Sequence, residues 1–267
     1  GYIDCKERGI ASLEELSAAV RLATASGDWI RVANYPGESL RSEPLDCQSL
    51  DSVTQNAPLL LIDDTGQICI MNSEALRRSE INELPAASNT DSSLNQKGVF
   101  TGNDRRVSDC VPPLSETEIT AGVRVLNRKL LSLGITSVHD TSWTNGLDSW
   151  RRYRAYKQAG ILSPRIQMMA GAQLLEQFAA EELCTGYGDD GLRLGAAKIA
   201  VDELLGDEQP DAALIEHFIR NAIEYRFQLS LHAGNSYLLE AALTALYNLR
   251  KDNPELLWPV RFEHCPI

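Results

Sequence analysis

The sequence lacks long apolar runs, clustered cysteines and an excess of basic residues, and each absence removes a class of protein. Its longest purely apolar stretch falls far short of the ~20 residues that cross a bilayer, so no membrane partner is expected. Six cysteines, Cys5, Cys47, Cys69, Cys110, Cys184 and Cys265, are scattered without a C-x-x-C pair. That argues against a disulfide scaffold and for idle thiols in a reducing, cytoplasmic setting. Lys plus Arg number 25 against 37 Asp plus Glu, a formal net charge of −12. So acidic a chain repels phosphate, and no nucleic-acid partner is expected. No secretory leader is visible. The sequence opens on Gly1-Tyr2-Ile3-Asp4 without an initiator Met and stops just after an apolar run at Val260 to His264. Both ends read as cuts from a longer parent.

What is present is an ordinary globular composition, 43% hydrophobic and 23% charged over 267 residues. That length holds one large domain or two small ones. Residues 11–26 read as a helix: Ser12 and Glu15 fit a capping box, and Leu13, Leu16, Ala19, Val20 and Ala23 form an apolar stripe. Residues 27–57 read as irregular. Leu59 to Ile62 and Gln67 to Met71 read as a hairpin joined through Asp63-Asp64-Thr65-Gly66, and residues 85–115 as a loop or linker.

Beyond Pro113 the texture changes. Ser115, with Glu118 three residues on, caps a helix that Gly134 ends. Strand-like runs at 135–138, 165–170, 194–201, 228–232 and 260–264 then alternate at roughly 30-residue spacing with helical patterns, among them 146–159, ended by Gly160, and 172–183. That alternation predicts βαβ units and a parallel sheet, either an open doubly wound sheet or part of a (β/α)8 barrel. No G-x-G-x-x-G or Walker motif follows any strand, so a nucleotide-binding sheet lacks its usual support.

Three polar residues stand out by position. Lys198 lies inside the apolar run Ala196 to Ala200, His232 ends Leu229 to His232, and His264 ends Val260 to His264. The separations of 34 and 32 residues are one βα unit each. In a parallel barrel, residues at the C-terminal ends of successive strands converge on one face. Two neutral imidazoles suit a borderline metal such as zinc. A Lys inside a strand is costly unless paired or modified, for example by CO2 to an anionic carbamate. The plainer alternatives stay open: a strand-end His that is hydrogen-bonded, and a Lys that is salt-bridged or reaches water. His139, with Asp140 beside it, also ends a strand, and His217 reads as a mid-helix surface or packing residue.

Several stretches, in order along nearly the whole sequence, resemble the amidohydrolase superfamily and within it the amidohydrolase family 3. Gly27-Asp28-Trp29-Ile30-Arg31 is similar to that family's "GWIRG". Leu45-Asp46, Leu50-Asp51 and Ala57 to Leu61 are similar to its "LD…aPv.l", and Thr65 to Leu76 to its "dGHsawvNSaAL". Leu133 to Val138 matches "lGiTsv", Lys198 to Asp202 resembles "vKlfvDG", Leu231-His232-Ala233 resembles "iHa.GD", and Arg261 to His264 resembles "RIEH".

The resemblance implies an α/β fold, a (β/α)8 TIM-like barrel with a metal centre and an attendant β-containing subdomain. Residues 1–26 would be a barrel helix following a missing first strand, 27–112 an inserted subdomain, and 113–267 barrel units 2 to 6. The implied reaction is metal-dependent hydrolysis of a non-peptide carbon–nitrogen bond in a small-molecule substrate. Lys198, as a bridging carbamate, and His232 and His264 would hold one or two divalent ions, zinc foremost. His139, Gln67 and Asp202 would line the substrate pocket.

The departures are specific. The family's H-x-H pair and its strand-8 Asp find no counterpart, Gln67 replaces the loop His of "dGHs", and Gly234-Asn235 replaces a Gly-Asp pair. About half of a family site is therefore expected, with little activity in the chain by itself, and open sheet edges that favour homo-oligomers. A non-catalytic small-molecule or protein binder and a metal-dependent deaminase are the alternatives.

Overall fold

The computed structural model describes residues 2–23, 29–54, 56–81, 97–101, 105–200, 212–252 and 260–265. The chain divides into two compact units, Gly1–Pro113 and Leu114–Ile267.

In the first unit, five strands lie in one sheet in chain order: β1 (Tyr2–Asp4), β2 (Ile30–Tyr35), β3 (Leu59–Asp63), β4 (Ile68–Met71) and β5 (Val99–Thr101). The first three are parallel, and β4 and β5 return antiparallel. Helix α1 (Leu13–Ala23) crosses between β1 and β2, with Leu16 and Val20 buried. Tyr2–Asp4 thus pairs with Ile30–Tyr35, and residues on both sides of the expected 26/27 boundary share one sheet. The expected capping box forms: Glu15 N donates to Ser12 Oγ at 3.2 Å and Ser12 N to Glu15 Oε2 at 3.1 Å.

The hairpin forms as read. Asp63 builds its turn by accepting from Thr65 Oγ1 at 2.6 Å and Ile68 N at 3.0 Å, and Gly66 takes the left-handed φ of +71° that the turn requires. Two expectations of irregular chain fail. Residues 27–57 contain β2 and the short helices Gly37–Ser42 and Cys47–Asp51, and the 85–115 loop contains β5 and the helix Arg105–Cys110. Long-range pairing decides here: β5 is ordered by β4, with Phe100 opposite Cys69, against a turn-rich local sequence.

In the second unit, β6 (Ser137–Asp140), β7 (Arg165–Gly171), β8 (Leu192–Ile199), β9 (Leu229–Ala233) and β10 (Val260–His264) form an all-parallel sheet in strict chain order. A doubly wound sheet reverses strand order at a switch point. This one does not, so it is a curled half-barrel and the open-sheet alternative falls.

Helices α2 (Glu116–Ser132), α3 (Leu147–Gln158), α4 (Ala212–Glu224) and α5 (Ser236–Asp252) alternate with the strands. The expected helix over 172–183 is a 3-10 turn, Ala172–Leu174, and one short helix, Leu175–Ala179. Gly134 and Gly160 stop their helices at φ +72° and +66°. Met168, Leu194 and Leu231 on one sheet face pack with Trp150, Phe178, Phe227 and Ile219 in a continuous core. Each such side chain contributes ~1.5–3 kcal/mol on burial.

Candidate metal centre

Parallel register fixes which side chains share the other sheet face. Lys198 lies opposite Gly171 on one side and Ser230 on the other, Ser230 lies opposite Arg261, and His232 lies opposite Glu263. The polar residues therefore gather on the face turned from the helices, toward the strand C-termini.

Lys198 and Ser230 are buried. The Lys198 ammonium donates to Glu263 Oε2, and the two side chains are only 6% and 9% exposed. They pair across β9, where the small Ser230 side chain leaves the lysine room to reach two strands over. Arg261 Nε approaches the other Glu263 oxygen at 3.2 Å. Burial pushes the Glu263 carboxyl up, but the Lys198 hydrogen bond and charge and the Arg261 charge outweigh it, holding the group below its usual range.

His232 and His264 have ring centroids 4.4 Å apart at an interplanar angle of 50°. Register puts His264 opposite Ala233, one residue out of step with His232. Its left-handed φ of +71°, followed by +43° at Cys265, breaks the strand alternation and accompanies the approach of the two rings. Cys265 N, donating to Ala233 O at 3.1 Å, ties down the turn. His232 is half-buried and His264 exposed.

The two imidazoles are donors that suit a borderline divalent ion, which commonly takes four ligands. Among the described residues no group of three or more His, Cys, Asp or Glu side chains is placed to hold a metal ion. The fit is thus a pair of nitrogens, not a full coordination shell.

The second unit's other histidines lie on elements other than those of this pair. His139 is exposed, opposite Gln167 in register, and lines a cleft of about 220 Å³ with Arg165 and Arg193. Asp140 is absorbed by its own loop: Oδ2 accepts from Tyr153 Oη at 2.7 Å, and Oδ1 from Ser142 N at 3.0 Å and Oγ at 2.7 Å. Gln67 is exposed in the hairpin turn of the first unit. Asp202 lies outside the described residues. His217 is exposed on α4, 3.2 Å from Asn221 Nδ2. Asn235 caps α5, its Oδ1 accepting from Leu238 N at 2.9 Å, a role an Asp fills equally well.

Glu263 is a member of this cluster to which the sequence assigns no role. The signal available was the cost of Lys198, which called for a carboxylate on a nearby strand.

The model of the amidohydrolase family matches residues 4–267. No curated protein matches the chain. Among solved structures, an uncharacterized metal-dependent hydrolase from Pyrococcus furiosus is similar with a TM-score of 0.66 and 18% identity, over 92% of this chain and 54% of its own. Another uncharacterized metal-dependent hydrolase, from Pyrococcus horikoshii OT3, gives a TM-score of 0.69 and 16% identity, over 98% of this chain and 54% of its own. The chain spans about half the length of these structures, and the likeness carries the fold.

Proposed function

The chain belongs to the amidohydrolase family, and from that premise we propose that it supplies part of the site of a metal-dependent hydrolase acting on a non-peptide carbon–nitrogen bond. The observation that carries the reading is the 4.4 Å approach of His232 and His264 at the C-terminal ends of adjacent parallel strands. Active sites of parallel barrels are built at that end.

In this reading the five strands are barrel strands 2 to 6, and Gly1–Pro113 is the attendant β-containing unit. His232 and His264 hold a divalent ion, zinc by their donor chemistry. When bound, such an ion supplies Lewis-acid polarisation of a scissile carbonyl. Glu263, kept ionised by Lys198, presents fixed negative charge beside the imidazoles. Lys198 as a carbamate is the finer form of the proposal and rests on the resemblance, since the Glu263 pair already meets the cost of its burial. It requires the ammonium to leave Glu263, lose a proton to water, form an N–C bond to CO2 and release a second proton as the anionic carbamate forms. His139 joins the pocket wall on its position at a strand end, and Asp202 joins it on the resemblance alone.

Elemental analysis of the purified chain and of His232→Ala tests the metal. Zinc or another divalent metal near one equivalent, falling in the variant, supports the reading. Metal-free protein in both cases overturns it for this chain. Carbon-13 spectroscopy under labelled CO2 tests the carbamate, with a signal that Lys198→Ala abolishes.

A second reading, a non-catalytic binder built on the same half-barrel, is favoured by the pair of ligands where a metal needs more. Turnover by metal-loaded protein discriminates against it.

A further inference from the structure

The second unit holds a cavity of about 510 Å³ between α3 and the loop that leads into β8, and none of Lys198, His232, Glu263 or His264 lines it. That volume lies within the ~300–1,000 Å³ typical of small-molecule sites. One wall is a stripe of α3: Trp150, Arg154 and Lys157, at helical spacings of four and three.

Tyr187, 46% exposed, packs its ring edge-on against the buried Trp150 at 6.1 Å. Its loop is pinned. Gly186 N donates to Leu194 O at 2.9 Å, Leu194 N to Tyr187 O at 2.8 Å, and Asp189 N to Leu192 O at 2.9 Å. Gly188 sits at φ +118°, where a Cβ would come within 2.1 Å of Leu192 O. A large aromatic ring is therefore held half in water by a loop with no slack, a platform formed before any ligand arrives.

The charges are unevenly used. Asp189 spends one oxygen on Gly191 N at 2.7 Å and Leu192 N at 3.0 Å. Lys157 donates to the carbonyls of Ser163 and Pro164. Arg154 is exposed and has no ion-pair or hydrogen-bond partner among the described residues. On a chain of net charge −12, an unneutralised guanidinium beside an aromatic wall is a local exception to the overall field.

We propose that this cavity binds an aromatic carboxylate, its ring against Tyr187 and its carboxylate on the Arg154 guanidinium. Arg suits that partner because its planar fork matches a carboxylate with two hydrogen bonds. Lys157 lines the same wall, its charge facing that of Asp189.

Calorimetric titration of the whole chain with 2-naphthoate, beside its neutral amide, is the test. The acid binds, and the amide binds at least about tenfold more weakly, as loss of a charge-assisted pair predicts. Arg154→Gln, at an exposed position, weakens the acid by at least about tenfold while leaving the thermal melt unchanged. Tyr187→Leu keeps the bulk of the wall and also weakens both ligands, whereas His232→Ala binds as the parent does. No heat from the acid, equal affinity for acid and amide, or loss in His232→Ala with retention in Arg154→Gln overturns the proposal.

Discussion

His264 meets His232 at 4.4 Å although their register positions are one residue out of step. A regular strand would send the two side chains to opposite faces of the sheet. The left-handed backbone at His264 (φ +71°) departs from that alternation where the two rings meet.

That backbone is a position for Gly or Asn and a poor one for a β-branched side chain. His264→Gly is expected to keep stability near the parent, and His264→Val to lose about 1–3 kcal/mol. Urea melts of the two variants check the order, and equal stabilities would mean that the turn relaxes freely.

Lys198 and Glu263 form a buried pair, so removing either partner strands a charge. Lys198→Met or Glu263→Leu is expected to cost ~3–5 kcal/mol, and the double variant Lys198→Met/Glu263→Leu to recover much of it. Denaturant unfolding of all four proteins closes the cycle. Additive losses would show that the two side chains do not act as a pair.

Asp140 gives the half-barrel a pH dependence of definite sign. Burial pushes its carboxyl up, but hydrogen bonds from Ser142 and Tyr153 outweigh that and hold it below the usual range. A depressed folded pKa contributes stability that is present above the unfolded value of ~3.9 and lost as pH falls through the folded one. The stability gap between the parent and Asp140→Asn should be widest above pH ~5 and close on acidification. A gap that stays constant down to pH 2 would rule this out.

Asn235 closes the first turn of α5. Asn235→Ala is expected to cost about 0.5–2 kcal/mol, and Asn235→Asp close to nothing. Thermal melts of the pair decide, and an equal loss in both would point to a role other than capping.

The features legible in the sequence are those whose chemistry is local. The boxes at Ser12 and Ser115, the stops at Gly134 and Gly160, and the Asp63 to Gly66 turn each need only a few neighbouring residues. Spacing sufficed for the five parallel strands, although β6, with Val138 its one apolar residue, starts two residues beyond the expected position. Strand β5 was illegible because three residues amid turn formers become a strand only through β4. The site splits the same way. His232 and His264 announce themselves at strand ends. The Lys198 partner is 65 residues away across an intervening strand, and a left-handed histidine leaves no mark in composition or spacing.

The strict chain order of β6 to β10 also bears on assembly. Each strand pairs with one that left the ribosome about one βα unit earlier, so loop closure stays short at every step. At synthesis rates of ~5–20 residues per second, a unit of about 30 residues emerges every few seconds, far slower than a strand needs to dock. The half-barrel can therefore grow by accretion during translation, its newest edge always the one nearest the emerging chain.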